Sequence, residues 1–85
     1  MIKFTRHSLE RMNNRGISKE MIMLTIQYGE NIKDKIILNC KIIKNILTKV
    51  NVEMKSKLLK LLDKGGITVV MADDASIITV YNCNR

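Results

Sequence analysis

Residues 4–18 read FTRHSLERMNNRGIS, and this stretch predicts a short helix with a defined start and a defined end. Thr5 is a suitable N-cap, because its hydroxyl can accept a hydrogen bond from a free backbone N–H of the first turn. Gly16 suits the left-handed residue that often follows a helix. We therefore expect a first helix from about Arg6 to Asn14.

This helix carries the only histidine of the chain. His7, Arg11 and Arg15 recur every four residues, so at about 100° per residue they share one stripe about 80° wide. Leu9 and Met12 lie on a different side, and we expect them to face the core. The helix would thus present an imidazole and two guanidiniums, with neighbours about 6 Å apart, close enough to act on one phosphate.

Helical signals continue after this stretch. Ser18 predicts the cap of a second helix, and Gly29 predicts its end. Between residues 41 and 63 the apolar residues recur at helical spacing. Asn51 stands between two valines and favours a break, so we expect one helix from Lys41 to Lys49 and another from Glu53 to Asp63. One long helix is the alternative.

The C-terminal third predicts a β-hairpin. Ile67–Ala72 and Ser76–Asn82 are rich in β-branched residues, and Asp73-Asp74-Ala75 between them is typical of a turn. Lys35–Asn39 is a further strand, and Met1–Phe4 is a short lead-in that can form an edge strand. The predicted fold is α+β, with N-terminal helices packed on a small antiparallel sheet of about three strands.

Side chains alternate along a strand, so the last strand has two distinct faces. Ile77, Thr79 and Tyr81 should share one face, while Ile78 and Val80 share the other. If the first helix packs near the hairpin, Thr79 and Tyr81 should converge with the histidine stripe in one shallow basic cleft.

The composition favours a single domain, residues 1–85, with an anionic partner. Apolar residues make up 46% of the chain, so it should fold, with a thin core. Fifteen Lys and Arg against eight Asp and Glu give a net charge of +7, which favours nucleic acid or an acidic protein. Arg6 and the stripe Lys57, Lys60 and Lys64 are candidate contacts to an RNA backbone, although such a stripe is more often a solvated face.

Several signals are missing from the sequence, and their absence favours a cytoplasmic protein without metal or cofactor. No apolar segment follows Lys3 as in a signal peptide, and no apolar run approaches the roughly 20 residues that span a membrane. Cys40 and Cys83 lack the spacing and companion ligands of a metal site. We expect two reduced thiols, with a disulfide as the alternative.

Two patterns in the chain resemble a known family. The strings FTxHxxxRMxxRGIS at residues 4–18 and VVxxDDxxIITVY at residues 69–81 are similar to small bacterial and phage proteins of unassigned function. That family looks like a relative of RelE- and BrnT-type toxins and of barnase-like and colicin-type ribonucleases. The resemblance implies a RelE- or barnase-like fold and metal-independent RNA cleavage. Two departures are Ser8, where many members carry alanine, and Arg85, the first basic residue after Tyr81.

Metal-free RNA cleavage needs a base, an acid and cations near the phosphate. Imidazole carries protons near neutral pH, so His7 is the natural proton carrier. Arg11 and Arg15 remain charged, and their fork geometry suits phosphate oxygens. Tyr81 is the candidate second proton carrier, with Thr79 as an orienting hydroxyl and lysine as the fallback.

Structural explanations of the same residues also stand. His7 could simply bond the backbone at the helix start. The arginines could form ion pairs with Glu10, Asp73 or Asp74.

The predicted function is a small basic toxin-type endoribonuclease that acts on RNA. We hypothesise an acidic antitoxin protein that covers the face of His7, Arg11 and Arg15. Two other classes stay open. One is a nucleic-acid-binding module that does not cleave, and the other is a phage-type inhibitor or regulator that docks on an acidic protein surface.

Overall fold

The computed structural model describes residues 2–83, which form an α+β fold of helices packed on a mixed sheet. In chain order the elements are β1 (Lys3–Phe4), α1 (Arg6–Arg15), α2 (Lys19–Tyr28), β2 (Glu30–Ile32), β3 (Lys35–Asn39), α3 (Cys40–Leu47), α4 (Val52–Asp63), β4 (Gly66–Met71) and β5 (Ser76–Asn82). The α+β class and the C-terminal hairpin are confirmed. Arg85, noted above for its place after Tyr81, lies outside the described residues.

The sheet has five strands in the order β1-β5-β4-β3-β2, so the predicted count of three is wrong. β1 pairs in parallel with the start of β5, and the other neighbours pair antiparallel. The sequence analysis missed β2, because its first two residues, Glu30 and Asn31, are of types depleted in strands. Pairing with β3 overrides that local preference.

Side-chain caps define where the helices begin. Asn51 accepts a hydrogen bond from the backbone N–H of Met54 at 2.9 Å, so the predicted break between two helices is confirmed. The other three helices begin in the same way, at N-caps Thr5, Ser18 and Asn39. Gly16 follows α1 with φ of 65°, as predicted for a left-handed residue.

The core is one cluster of buried apolar side chains from all four helices, the loop after α1 and the three central strands. Its members are Met12, Ile17, Ile22, Leu24, Leu38, Ile43, Leu58, Leu61, Ile67, Val69, Ile77 and Val80. On β4, Ile67 and Val69 belong to the cluster while Thr68 and Val70 do not. The helices therefore cover one face of the sheet, because side chains alternate along a strand.

Ser8, and not Leu9, is the buried partner of Met12 on α1. Leu9 is 42% exposed, so its predicted place in the core is wrong. Ser8 is fully buried, and its hydroxyl donates a hydrogen bond to the Thr5 carbonyl at 2.8 Å. A small side chain here lets α1 approach β5 closely, and the local bond satisfies the buried hydroxyl.

A β-bulge changes the predicted faces of β5. Val69 pairs with Val80 and Val70 with Thr79, but Met71 pairs with Ile77, so Ile78 is the extra residue. Ile77 is consequently buried with Val80, and Ile78 is 46% exposed. The predicted grouping of Ile77 with Thr79, and of Ile78 with Val80, is therefore wrong.

Candidate nucleic-acid interface on the first helix

The start of α1 is anchored to the sheet, which sets how its side chains are presented. The Thr5 hydroxyl accepts from the Ser8 N–H at 3.2 Å and donates to the Ile77 carbonyl at 2.7 Å. Ser8 and Met12 then face the interior. With that face fixed, the stripe of His7, Arg11 and Arg15 lies along the flank of the helix, and the structure places all three side chains in the exposed class.

The two arginines have no carboxylate partner within residues 2–83. The ion pair found there joins Lys57 Nζ to Glu20 at 2.9 Å. Glu10, Asp73 and Asp74, the alternative partners considered from sequence, make no such pair with Arg11 or Arg15 in that range. Two neighbouring guanidiniums left without intramolecular anions are available to an anion from outside.

Arg6, Lys57, Lys60 and Lys64 differ from one another in exposure and in the contacts they make. Arg6 is exposed in the first turn of α1, and Lys60 is exposed on α4. Lys57 is engaged by Glu20, whose hydrogen bond and charge raise the pKa of the Lys57 ammonium. Lys64 Nζ donates to the Arg15 carbonyl at 3.5 Å. Within the described chain, Lys57 and Lys64 thus already make contacts.

Lys64 lies beside α1 in the structure, a contact that the sequence analysis did not predict. Its ammonium reaches the carboxyl end of α1, where a cation is favourable. Its own carbonyl accepts a hydrogen bond from the Asn82 side-chain amide at 3.1 Å, which joins the end of β5 to the same point. Forty-nine positions separate Lys64 from Arg15, so no local pattern could have indicated this approach.

Thr79 and Tyr81 do not share the face of the sheet on which α1 packs. Tyr81 pairs with Thr68 and Thr79 with Val70, whereas Val80 between them belongs to the core cluster with Met12 of α1. Strand alternation therefore directs Thr79 and Tyr81 to the opposite face. The predicted single cleft combining the histidine stripe with these two hydroxyls is not formed.

Pockets and potential ion ligands do not add to this interface. Two shallow pockets of about 290 and 260 Å³ lie near the hairpin turn and beside Tyr28, and neither is lined by a predicted site residue. In residues 2–83, no group of three or more His, Cys, Asp or Glu side chains is arranged to hold a metal ion. Cys40 and Cys83 are free thiols. Over the same range no helix is long and apolar enough to cross a bilayer.

Residues 4–82 match the family model described as a domain of unknown function, DUF4258. The chain belongs to this family. The match begins at Phe4, which opens the stretch quoted first, and ends with the last residue of β5, so the DUF4258 region contains every predicted site residue. No curated protein and no solved structure matches the chain. The DUF4258 description assigns no activity, and a function has to be argued from the residues.

Proposed function

We propose that this protein binds RNA through α1 and cleaves it without a metal ion, as a distant relative of RelE- and BrnT-type ribonuclease toxins. One observation carries the proposal. An exposed imidazole, His7, stands on the same helix stripe as two exposed guanidiniums that have no ion-pair partner within residues 2–83. The α+β architecture, with helices on one face of a small sheet, is compatible with a RelE- or barnase-like fold.

In the proposed reaction His7 takes the proton of the ribose 2′-hydroxyl. The 2′-oxygen then forms a bond to phosphorus, the bond from phosphorus to the 5′-oxygen breaks, and a 2′,3′-cyclic phosphate results. Arg11 and Arg15 bind the non-bridging oxygens, where negative charge builds in the transition state. Guanidiniums one and two helical turns from the base suit this role because they remain charged at every relevant pH.

The leaving 5′-oxygen needs a proton, and the donor has to be reassigned. Tyr81 was the first candidate from sequence, but it lies on the other face of the sheet from α1. Lys64 approaches α1 at its carboxyl end, beside the Arg15 carbonyl and about 12 Å along the helix axis from His7. We therefore assign Lys64 as a contact to a neighbouring phosphate, and the leaving 5′-oxygen takes its proton from solvent water.

A basic ribonuclease in the cytoplasm has to be held in check. The net charge of +7 favours an acidic protein partner, an antitoxin in this proposal, because charge complementarity speeds association. Blocking α1 would be sufficient for inhibition, since the proposed base and both arginines lie on it.

The test is incubation of the purified protein with total RNA in excess EDTA. We expect cleavage products that carry 2′,3′-cyclic phosphate ends. His7→Ala should lower the rate by about 10² to 10⁴, as removal of a positioned proton carrier does. Asn14→Ala, another exposed change on α1, should leave the rate unaltered.

Two results would contradict the cleavage proposal. An active His7→Ala protein would exclude the base assigned here. Salt-sensitive RNA binding without any cleavage would instead indicate a non-catalytic nucleic-acid-binding module. The separation of Tyr81 from α1 favours that second candidate, because it removes the proton donor first expected.

A further inference from the structure

The pocket beside Tyr28, which we call the Tyr28 pocket, is a cavity separate from the stripe on α1. It has a volume of about 260 Å³ and lies where the end of α2 meets the loop between α3 and α4. Its lining residues are Tyr28, Lys49, Val50, Asn51 and Met54. Pockets for drug-sized ligands usually have about 300–1,000 Å³, so this cavity suits a smaller group, such as a single ring system.

The apolar part of the lining favours a flat aromatic ligand. Tyr28, Val50 and Met54 are half-buried and pack against the core cluster, so they are held in place before a ligand binds. Nucleobases stack on aromatic side chains because every base has a π-face. A methionine thioether also makes favourable contacts with aromatic rings.

The polar part of the lining favours an anion. Lys49 is exposed and makes no ion pair within residues 2–83, whereas the side-chain oxygen of Asn51 already accepts the capping hydrogen bond of α4. Among the described residues, no carboxylate lines the pocket. The nearby Glu53 acts instead on Lys57, whose pKa is raised by Glu20 first and by Glu53 in addition. Lys49 is therefore free to bind a phosphate as a point charge.

Size and charge together favour a nucleotide over a peptide. A nucleotide joins a planar ring and an anion within one unit, whereas an acidic peptide needs two neighbouring residues, and hence a longer groove, to supply both. The pocket near the hairpin turn differs in charge, because Asp34 and Asp73 line it together with Lys33. Of these two pockets, the Tyr28 pocket is thus the one that combines an aromatic side chain with an unopposed cation.

We propose that the Tyr28 pocket binds one nucleotide, with the base against Tyr28 and Met54 and the phosphate at Lys49. The nucleotide is either free or part of an RNA strand, since the recognised chemistry is the same in both. The inference does not depend on whether α1 cleaves RNA.

Helix α4 connects the Tyr28 pocket to the interface on α1. The helix from Asn51 to Lys64 covers about 20 Å, and Lys64 lies beside Arg15. A stacked strand rises about 3.4 Å per nucleotide, so about six nucleotides join the two sites. A strand of that length is the RNA that would occupy both.

The experiment titrates ¹⁵N-labelled protein with adenosine 5′-monophosphate, and with ribose 5-phosphate as the probe that lacks a base. We expect chemical-shift changes centred on Tyr28, Val50 and Met54 with the first probe and much smaller ones with the second. Tyr28→Leu should weaken binding of the monophosphate by about tenfold or more, and Tyr28→Phe should retain it. Tyr81→Leu, the same change at the other tyrosine of the chain, is the matched control and should not alter binding.

The contribution of the phosphate is tested separately. Lys49→Gln should weaken binding of the monophosphate by about threefold or more and reduce its dependence on salt. Lys44→Gln removes the same charge at an exposed position on α3 and should change neither.

A 2′-O-methylated octamer of adenosine distinguishes the two sources of the nucleotide. If the pocket serves RNA, this octamer should bind at least about tenfold more tightly than the monophosphate and also shift the signals of Arg11 and Arg15, because it engages two sites at once. Equal affinities of the octamer and the monophosphate would assign the pocket to a free nucleotide.

Each other result overturns the proposal. Absence of binding, equal shifts with ribose 5-phosphate, shifts confined to α1, or full binding by Tyr28→Leu would exclude a nucleotide site here. Equally tight binding of a short peptide of phenylalanine and glutamate would assign the pocket to a protein. A spectrum of Tyr28→Leu with native dispersion shows that weaker binding is not unfolding, and the exposed Lys49→Gln change decides the matter if Tyr28→Leu does not fold.

Failure of this proposal is distinguishable from failure of the proposed cleavage. The methylated octamer cannot form a 2′,3′-cyclic phosphate, so its binding is measured independently of the reaction. Uncleaved natural RNA would contradict the ribonuclease proposal and leave the nucleotide site intact. Cleavage without any binding at Tyr28 would do the reverse.

Discussion

At the residue scale, α1 shows how one position decides between core and surface. Ser8 and Leu9 are neighbours, and hydrophobicity alone favours burying Leu9. The structure buries Ser8 because a small side chain is needed where α1 meets β5, and the Thr5 carbonyl accepts its hydroxyl hydrogen. The distance between α1 and β5 depends on the tertiary structure, so residue hydrophobicity alone could not predict that Ser8 is buried.

Met12→Ala and Leu9→Ala should therefore differ in stability. Met12 is buried in the core cluster, so its truncation should lower the free energy of unfolding by about 2–5 kcal/mol. Leu9 is 42% exposed, and its truncation should cost less than about 1 kcal/mol. Urea denaturation followed by circular dichroism measures both values. Equal losses would contradict the placement of α1.

Asp74 makes the hairpin turn sensitive to acid. Its carboxylate accepts a hydrogen bond from the Ser76 backbone N–H at 3.1 Å, and hydrogen bonds from Ser76 hold the pKa of Asp74 below its ordinary value. Because the folded pKa is the lower one, this stabilisation is present above the unfolded pKa. It is lost as pH falls through the folded pKa.

The expected consequence is a loss of stability between about pH 5 and pH 2 that Asp74→Asn lacks. Asp73→Asn keeps the Asp74 carboxylate and is the control. Thermal denaturation across that range compares the three proteins. If Asp74→Asn and the unaltered protein show the same pH dependence, the turn hydrogen bond does not stabilise the fold.

At the element scale, two connections between elements depend on glycines with left-handed backbone. Gly66 begins β4 with φ of 88°, and a Cβ there would lie 2.3 Å from the Leu38 carbonyl oxygen. Gly16 ends α1 with φ of 65°, but a Cβ there would meet only the flexible end of Lys64, at 3.1 Å. Both positions require an unusual conformation, and only Gly66 also lies against rigid backbone.

Gly66→Ala should thus be far more damaging than Gly16→Ala. Gly16→Ala should cost about 1–2 kcal/mol, the usual penalty for a left-handed residue with a side chain. Gly66→Ala adds a clash with the backbone of β3, so it should exceed that by at least about 2 kcal/mol and lower the yield of folded protein. Chemical denaturation of the two variants checks the order. Similar losses of unfolding free energy would contradict the close approach of Gly66 to the β3 backbone.

At the scale of the whole molecule, the net charge of +7 produces a positive potential that extends beyond the protein surface. Within residues 2–83, the two arginines of the α1 stripe have no carboxylate partner, whereas Lys57 is paired with Glu20. We therefore expect RNA to bind at α1.

RNA affinity should fall steeply between about 50 and 200 mM salt, because each phosphate contact releases counterions. Arg11→Gln with Arg15→Gln should flatten that slope more than Lys57→Gln does, since Lys57 already pairs with Glu20. Lys60→Gln should have an intermediate effect. Fluorescence anisotropy of a labelled RNA at several salt concentrations measures the slopes. Affinity that does not change with salt would exclude a phosphate-binding helix.

The sequence by itself determined the features that depend on neighbouring residues. The helix caps at Thr5 and Ser18, the break at Asn51 and the left-handed Gly16 were predictable, because each depends on bonds within a few positions. The C-terminal hairpin was predictable as well, because its two strands are joined by a short turn. The shared stripe of His7, Arg11 and Arg15 is local in the same sense, since helical periodicity alone places it.

Only the tertiary structure decided which faces meet. The bulge at Ile78 exchanges the faces of β5. β1 enlarges the sheet by pairing with β5, a contact between the two ends of the described chain. The register between β4 and β5 places Thr79 and Tyr81 on the face of the sheet away from α1. A hydrogen bond to the Arg15 carbonyl, forty-nine positions away, brings Lys64 to α1. Strand register and packing distance are set by the whole assembly of elements, because a shift of one residue reverses every side chain that follows.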